Sequence, residues 1–177
     1  MIIKKTKFKD LLIIKQKNNK DNRGILRETF NNKILKKKFI FEYCTTSKKN
    51  VFRGFHFQYK NQQAKLISVI KGKVLDCVVD LRKNSKTFGQ SYKITMSENK
   101  NISLYVPKGF AHGYLTLDKE NIVICKQSNF YNPEFEDGII WNDKSLKIKW
   151  LSTKPLLSKK DRNQQTLTEF KKKYKYL

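Results

Sequence analysis

The 177-residue sequence contains only three cysteines, Cys44, Cys77 and Cys125, widely spaced and without a CxxC pair. An odd, scattered set excludes a disulfide framework and a cysteine zinc site, and it fits a reducing cytoplasm. Histidine is scarcer still: His56 and His112 lie 56 residues apart and form no HxH or HxxxH pattern. Metal sites in small β-barrels usually draw on three protein ligands with closely spaced histidines, so no metal is expected. No apolar run approaches a membrane span, and the opening MIIKKTKFKDLLIIK lacks the apolar stretch and small-residue cleavage site of a signal peptide. The expectation is a cytoplasmic protein with no membrane attachment.

Arginine is the other scarcity. Of 39 basic residues only five are arginine, set against 15 acidic residues, for a formal net charge of +24. A charge of that size raises the question of nucleic-acid binding, which would be steeply salt-dependent. Bidentate recognition of bases and phosphates leans on arginine, however, and here the lysines are spread through nearly every segment. No basic stripe, RNP-like motif or helix-turn-helix pattern accompanies them. The charges therefore read as solvated, with no nucleic-acid partner expected. Their field still favours anionic substrates such as nucleotides.

What is present is strand after strand. Hydrophobic residues make up 38% and aromatics 12%, enough for one domain over residues 1–177 with a sizeable core. Strand-like runs occupy 11–15, 24–30, 39–46, 51–58, 65–70, 73–82, 91–96, 101–107, 113–118 and 122–128, each short, rich in β-branched or aromatic residues and bounded by turn residues. IKGK at 70–73 and DKEN at 118–121 read as hairpin turns. NNKILKK (31–37) reads as a short helix, and TLTEFKKKYKYL (166–177) as a basic C-terminal tail or helix. Many strands without intervening helices predict an all-β sandwich or barrel with short flanking helices.

Alternation along strands nominates a pocket. In RGFHFQ (53–58), Gly54, His56 and Gln58 share one face, and Gly54 marks a close backbone approach or a bulge. In KVLDCVVD (73–80), Asp76 and Asp80 share a face with Val74 and Val78, where a buried carboxylate needs a partner. That partner role is either structural or functional. In VPKGFAHGYLTL (106–117), His112 and Tyr114 share a face. Taken alone, each histidine reads first as a structural side chain.

Taken together the fragments carry more. RGFHFQ, AKLISVIKGKVLDCVVDLRKNSKTFGQ, YVPKGFAHGYLTL and YNPEFEDGIIWND, with DNRGILRETF before and LSKKD after, resemble the dTDP-4-dehydrorhamnose 3,5-epimerase family in order and spacing over about residues 3–165. The resemblance implies a cupin-type jelly roll, a homodimer, no cofactor, and a nucleotide-linked 4-keto-6-deoxyhexose as substrate, dTDP-linked. In such a dimer the N-terminal strand LLIIK would join the neighbour's sheet. The chemistry is proton removal alpha to the C4 ketone, at C3 and C5. It needs a base on one face, a cation or donor at the ketone oxygen and a proton source on the opposite face. By resemblance His56 is the base and Asp161 of LSKKD orients it, while Lys65 and His112 stabilise the enolate oxygen and Asp76 lies in the same pocket. Arg23 and Arg53 match diphosphate-binding positions, and Glu28 and Tyr131 match positions around nucleotide and sugar.

Two departures stand out. The family's usual acid, a tyrosine thirteen residues after the second histidine, falls on Cys125, whose thiol is a shorter donor with a reference pKa of about 8.5 against about 10 for tyrosine. If 113–118 and 122–128 pair as a hairpin, Tyr114 stands opposite Cys125 and supplies the missing hydroxyl. The Asn/His/Ser-rich segment that commonly precedes the family's first histidine motif is here EYCTTSKKN (42–50). A mono-epimerase at C3 or C5, or a non-catalytic sugar-nucleotide-binding cupin, are the alternatives that these departures leave.

Overall fold

The computed structural model of the chain describes residues 1–177. The N-terminal half contributes β1 (Ile2–Lys5), β2 (Leu12–Lys15), β3 (Lys17–Asp21), β4 (Gly24–Glu28), a one-turn helix α1 (Asn32–Leu35), β5 (Phe41–Lys48), β6 (Phe52–Gln58), β7 (Lys65–Lys71) and β8 (Lys73–Asp80). The remainder contributes β9 (Ser91–Ser97), β10 (Ile102–Val106), β11 (Phe110–Thr116), β12 (Glu120–Gln127), β13 (Glu136–Gly138), α2 (Lys159–Arg162) and α3 (Leu167–Lys173). Two antiparallel sheets face each other, one ordered β1-β2-β10-β7-β12-β5 and the other β13-β6-β11-β8-β9, and β3-β4 forms a hairpin of its own. This is the jelly-roll sandwich that the strand pattern predicts.

Each of the ten expected strands has its counterpart. The expected pairings at two turns do not hold. β7 and β8 lie in different sheets, as do β11 and β12, so the turns at 70–73 and 118–121 carry the chain across the sandwich rather than closing hairpins. Local turn chemistry specifies a reversal, not which sheet receives the next strand. β1, β3 and β13 carry no strong sequence signal, because β3 (KNNKD) is wholly polar and β13 (EDG) is three residues long.

The five-stranded sheet is buried on both faces. Val74 and Val78 of β8 meet Ile67, Val69, Leu104 and Val123 of the opposite sheet. On the outer face Phe52, Phe55, Phe57, Leu75, Cys77 and Val79 pack under Leu146, Leu167 and Phe170 from the C-terminal segment. Burial on both sides explains the almost continuous apolar run of KVLDCVVD. Thr166 caps α3 in a reciprocal capping box with Glu169, which seats Phe170 on Phe57 with ring centroids 5.4 Å apart.

One irregularity aims the site. Along β6 and β11, His56 stands opposite His112 and Arg53 opposite Tyr114, so β6 spends three residues where β11 spends two. This bulge at Gly54 (φ +123°) puts Arg53 on the cavity side with His56, where strict alternation would turn it away. A Cβ at Gly54 would lie 2.5 Å from Gly113 Cα and 2.6 Å from the His112 carbonyl oxygen. Gly54→Ala is expected to cost about 3 kcal/mol, because it adds backbone overlap to an unfavourable φ. Urea unfolding of the two proteins checks this, and an unchanged midpoint would refute the close-approach account.

Candidate active site

The sandwich opens at one end into a cavity of about 420 Å³ lined by residues of both sheets and of the C-terminal segment. His56 and His112 come from neighbouring strands of one sheet and are directly opposite in register. Lys65 (β7) comes from the other sheet, and Asp161 reaches the cavity from α2.

The approach of Asp161 is built in steps. Phe52 N–H donates to the Leu156 carbonyl (3.0 Å) and Leu156 N–H to the Asn50 carbonyl (2.7 Å), laying residue 156 along the start of β6. Ser158 then caps α2, its hydroxyl oxygen accepting the Asp161 N–H at 3.0 Å. The SKKD segment is thus a capping motif that turns the Asp161 carboxylate toward His56, where Oδ1 lies 2.6 Å from Nε2. A carboxylate only accepts, so the contact assigns the imidazole proton to Nε2 and leaves the Nδ1 lone pair free to take a proton.

Glu136, which sequence reasoning missed, lies on the other side of the same ring, its Oε1 3.7 Å from Nδ1. β13 places it there by pairing with β6, Gly138 opposite His56. Burial pushes the Glu136 carboxyl up, but His56, Lys160 and Tyr131 outweigh it and hold it below its usual range. Tyr131, at the cavity rim, donates its hydroxyl to Glu136 (2.8 Å), and Lys160 pairs with the same carboxylate. The only prior signal for Glu136 was its position in the YNPEFEDG segment.

A second imidazole–carboxylate pair lies beside the first. His112 Nε2 is 2.9 Å from Asp76 Oδ2; His112 is buried but lines the cavity, whereas Asp76, expected in the pocket, is fully buried and does not line it. Burial raises the Asp76 carboxyl, and His112 and Lys65 only partly restore it. Lys65 reaches under His56, donating to its backbone carbonyl at 3.4 Å. Burial lowers the lysine's pKa, with Cys125, Glu136 and Asp76 opposing. Arg53 lines the cavity, and its Nε donates to Ser47 Oγ at 3.0 Å.

Other expected site residues stand elsewhere. Gln58 is a buried structural amide: its Nε2 donates to the Asn61 carbonyl (3.0 Å) and its Oε1 accepts the Asn132 N–H (2.8 Å), pinning the loop that carries Tyr131. It keeps the face that alternation gives it, since residues 56–58 pair regularly with β13, but the return of residues 128–132 over β6 covers it. Arg23 and Glu28 belong to the β3-β4 hairpin, away from this chain's own cavity. Arg23 is 85% exposed and pairs with Asp21, and Glu28 accepts from Asn31. Cys125 is 2% exposed and does not line the cavity; its thiol is pushed up by burial. Tyr114 does line it, with its hydroxyl 2.7 Å from Thr45 Oγ1 and its pKa raised by burial to about 12. It does not pair with Cys125 across a hairpin: β11 lies between β6 and β8, β12 between β5 and β7, and the two residues meet only through the sandwich interior.

The fold is the cupin-type jelly roll of solved sugar-nucleotide epimerases, one of which, from Elizabethkingia anophelis, superposes with a TM-score of 0.90 at 37% identity over 96% of this chain and 97% of its own. The dTDP-4-dehydrorhamnose 3,5-epimerase family model matches residues 5–169. An enzyme of that name from Shigella flexneri is 39% identical over 176 residues, covering 96% of this chain and 97% of its own. The structure of the Bacillus anthracis enzyme with TDP and pyrophosphate bound superposes with a TM-score of 0.91, at 38% identity over 94% of this chain and 99% of its own. A 3,5-epimerase from Legionella pneumophila in complex with dTDP-4-keto-L-rhamnose gives 0.90, at 34% identity over 94% and 93%. The chain belongs to the dTDP-4-dehydrorhamnose 3,5-epimerase family.

Lys65 makes the cost of this site measurable. Its folded-state pKa lies below its unfolded one, so the unfolded chain holds more protons between the two and stability rises with pH through that interval. Lys65→Met is expected to raise the unfolding free energy by about 1 kcal/mol at neutral pH and to flatten that alkaline rise, while turnover is lost. Thermal melts from pH 7 to 10 check it; a lowered melting temperature would mean that the charge stabilises the fold.

Proposed function

We propose that this chain epimerises a dTDP-linked 4-keto-6-deoxyhexose at the two carbons flanking the C4 ketone, in deoxysugar biosynthesis. The observation that carries the reading is His56, on the cavity wall, with Asp161 2.6 Å from its Nε2. His56 Nδ1 removes the proton alpha to the ketone, and the imidazolium that forms lies between the carboxylates of Asp161 and Glu136. The electron pair passes to the ketone oxygen as an enolate, where Lys65 and His112 supply positive charge and a donor in a largely desolvated setting. Reprotonation from the other face inverts the carbon. Arg53, Lys160 and the positive field of the chain attract the diphosphate.

The working unit is a homodimer of single-domain chains. The expected route to it, with LLIIK in the neighbour's sheet, does not apply, because β2 lies inside its own chain's sheet between β1 and β10. The β3-β4 hairpin suits the role better: it has no neighbour in either large sheet, and it exposes Ile25 and Leu26. Seated on a second copy it would carry Arg23 and Glu28 to that copy's nucleotide. No helix is long and apolar enough to cross a membrane, and the three cysteines are free, which supports placement in the cytoplasm.

In deuterated water with dTDP-4-keto-6-deoxyglucose, NMR should show deuterium entering at both C3 and C5. His56→Ala should lose this exchange, and Asp161→Asn should slow it by about 10³-fold or more, because an amide can present its own N–H to Nε2 and reverse the tautomer. Label at one carbon alone would make the chain a mono-epimerase. Tight dTDP-sugar binding without exchange would make it a binding protein.

A further inference from the structure

Inversion needs a proton donor on the wall facing His56, and Cys125 does not reach the cavity. The lining phenols are Tyr43, Tyr114 and Tyr131. Tyr131 serves Glu136, on the base's own side. Tyr114 stands on β11, beside the strand of His56, and its hydroxyl crosses the sandwich to β5, where Thr45 engages it at 2.7 Å. Tyr43 stands on β5, in the opposite sheet.

Its register gives it room. Tyr43 and Cys125 are directly opposed on β5 and β12. A small thiol at 125 leaves the space that a second large ring would fill, and the phenol of Tyr43 extends over it. The residue is 36% exposed and lines the cavity. Burial and the neighbouring thiol hold its pKa well above that of a free phenol.

We infer that Tyr43 is the proton donor opposite His56, its hydroxyl supplying the function that a side chain at position 125 cannot. In the step, His56 Nδ1 takes the alpha proton and the C–H pair becomes the enolate. The enolate carbon then takes the proton of the Tyr43 O–H from the opposite face, so a C–H bond forms as the O–H bond breaks. The resulting tyrosinate recovers a proton from water at the cavity mouth, and the imidazolium gives one up there, so the net change is inversion alone. This inference rests on the epimerase reading above.

The test separates the two. With dTDP-4-keto-6-deoxyglucose in deuterated water, exchange reports the base and inversion reports the opposite-face donor. Tyr43→Phe should keep deuterium exchange within a few-fold of wild type, because His56 still removes and returns protons on its own face. Inversion should fall about 10²-fold or more. Retained inversion in Tyr43→Phe would overturn the assignment, as would parallel loss of exchange and inversion in a variant that still binds dTDP. Inversion lost in Tyr114→Phe but kept in Tyr43→Phe would move the role to Tyr114. Absence of exchange in the wild-type protein would instead defeat the epimerase reading itself.

Discussion

The contact between His56 and Asp161 is the constraint on which the rest of the site depends. It joins residues 105 positions apart, one in the middle of a jelly-roll strand and the other on a one-turn helix with little stability of its own. The contact survives only because the C-terminal segment is fastened twice. Residue 156 hydrogen-bonds along the start of β6, and Leu167 and Phe170 fill the outer face of the same sheet. The apolar covering of that sheet and the orientation of the base are therefore one problem with one solution. If the covering slipped, His56 would lose the partner that sets its tautomer.

Around the cavity each of the carboxylates of Asp76, Asp161 and Glu136 faces an imidazole or a lysine. Two imidazole–carboxylate pairs lie side by side, Lys65 sits beneath one of them, and Lys160 and Tyr131 hold Glu136 beside it. Burying so many ionisable groups works against folding, and burial alone raises Asp76 and lowers Lys65. The apolar layers on both faces of the five-stranded sheet offset that cost. In the proposed reaction the same desolvation would strengthen the lysine's hold on a developing enolate, since charge acts more strongly where water is excluded.

The bulge at Gly54 and the Tyr43–Cys125 pair show how strand geometry adapts a common scaffold. One extra residue in β6 brings Arg53 round to the cavity, so that one strand contributes both an imidazole and a guanidinium. Across the cavity, directly opposed positions on β5 and β12 share a limited volume, and the large ring stands on β5 while the small side chain stands on β12. Directly opposed side chains on a strand pair share one close-packed volume, so a large ring fits beside a small thiol.

Much of this was legible in the chain itself. Short β-branched runs without helices dictated an all-β sandwich, because such segments bury one face only against another sheet. The spacing of RGFHFQ, Lys65, Asp76, His112 and LSKKD marked the family and, with it, the core of the site. Tertiary structure alone decided the rest. Turn residues at 70–73 and 118–121 specify a reversal but not its sheet, so the supposed hairpin between Tyr114 and Cys125 became a crossing of the sandwich. The loop that carries Tyr131 closed over Gln58, which alternation had placed in the pocket. β13, too short to signal itself, brought Glu136 to the base. Tyr43 lay in a segment that departs from the Asn/His/Ser-rich one common in the family, and it gained meaning only when cross-strand register set it against Cys125. Local sequence encodes the elements through periodicity and turn chemistry, whereas the meeting of side chains is settled by register and by which sheet each strand enters, and those are properties of the whole packed chain.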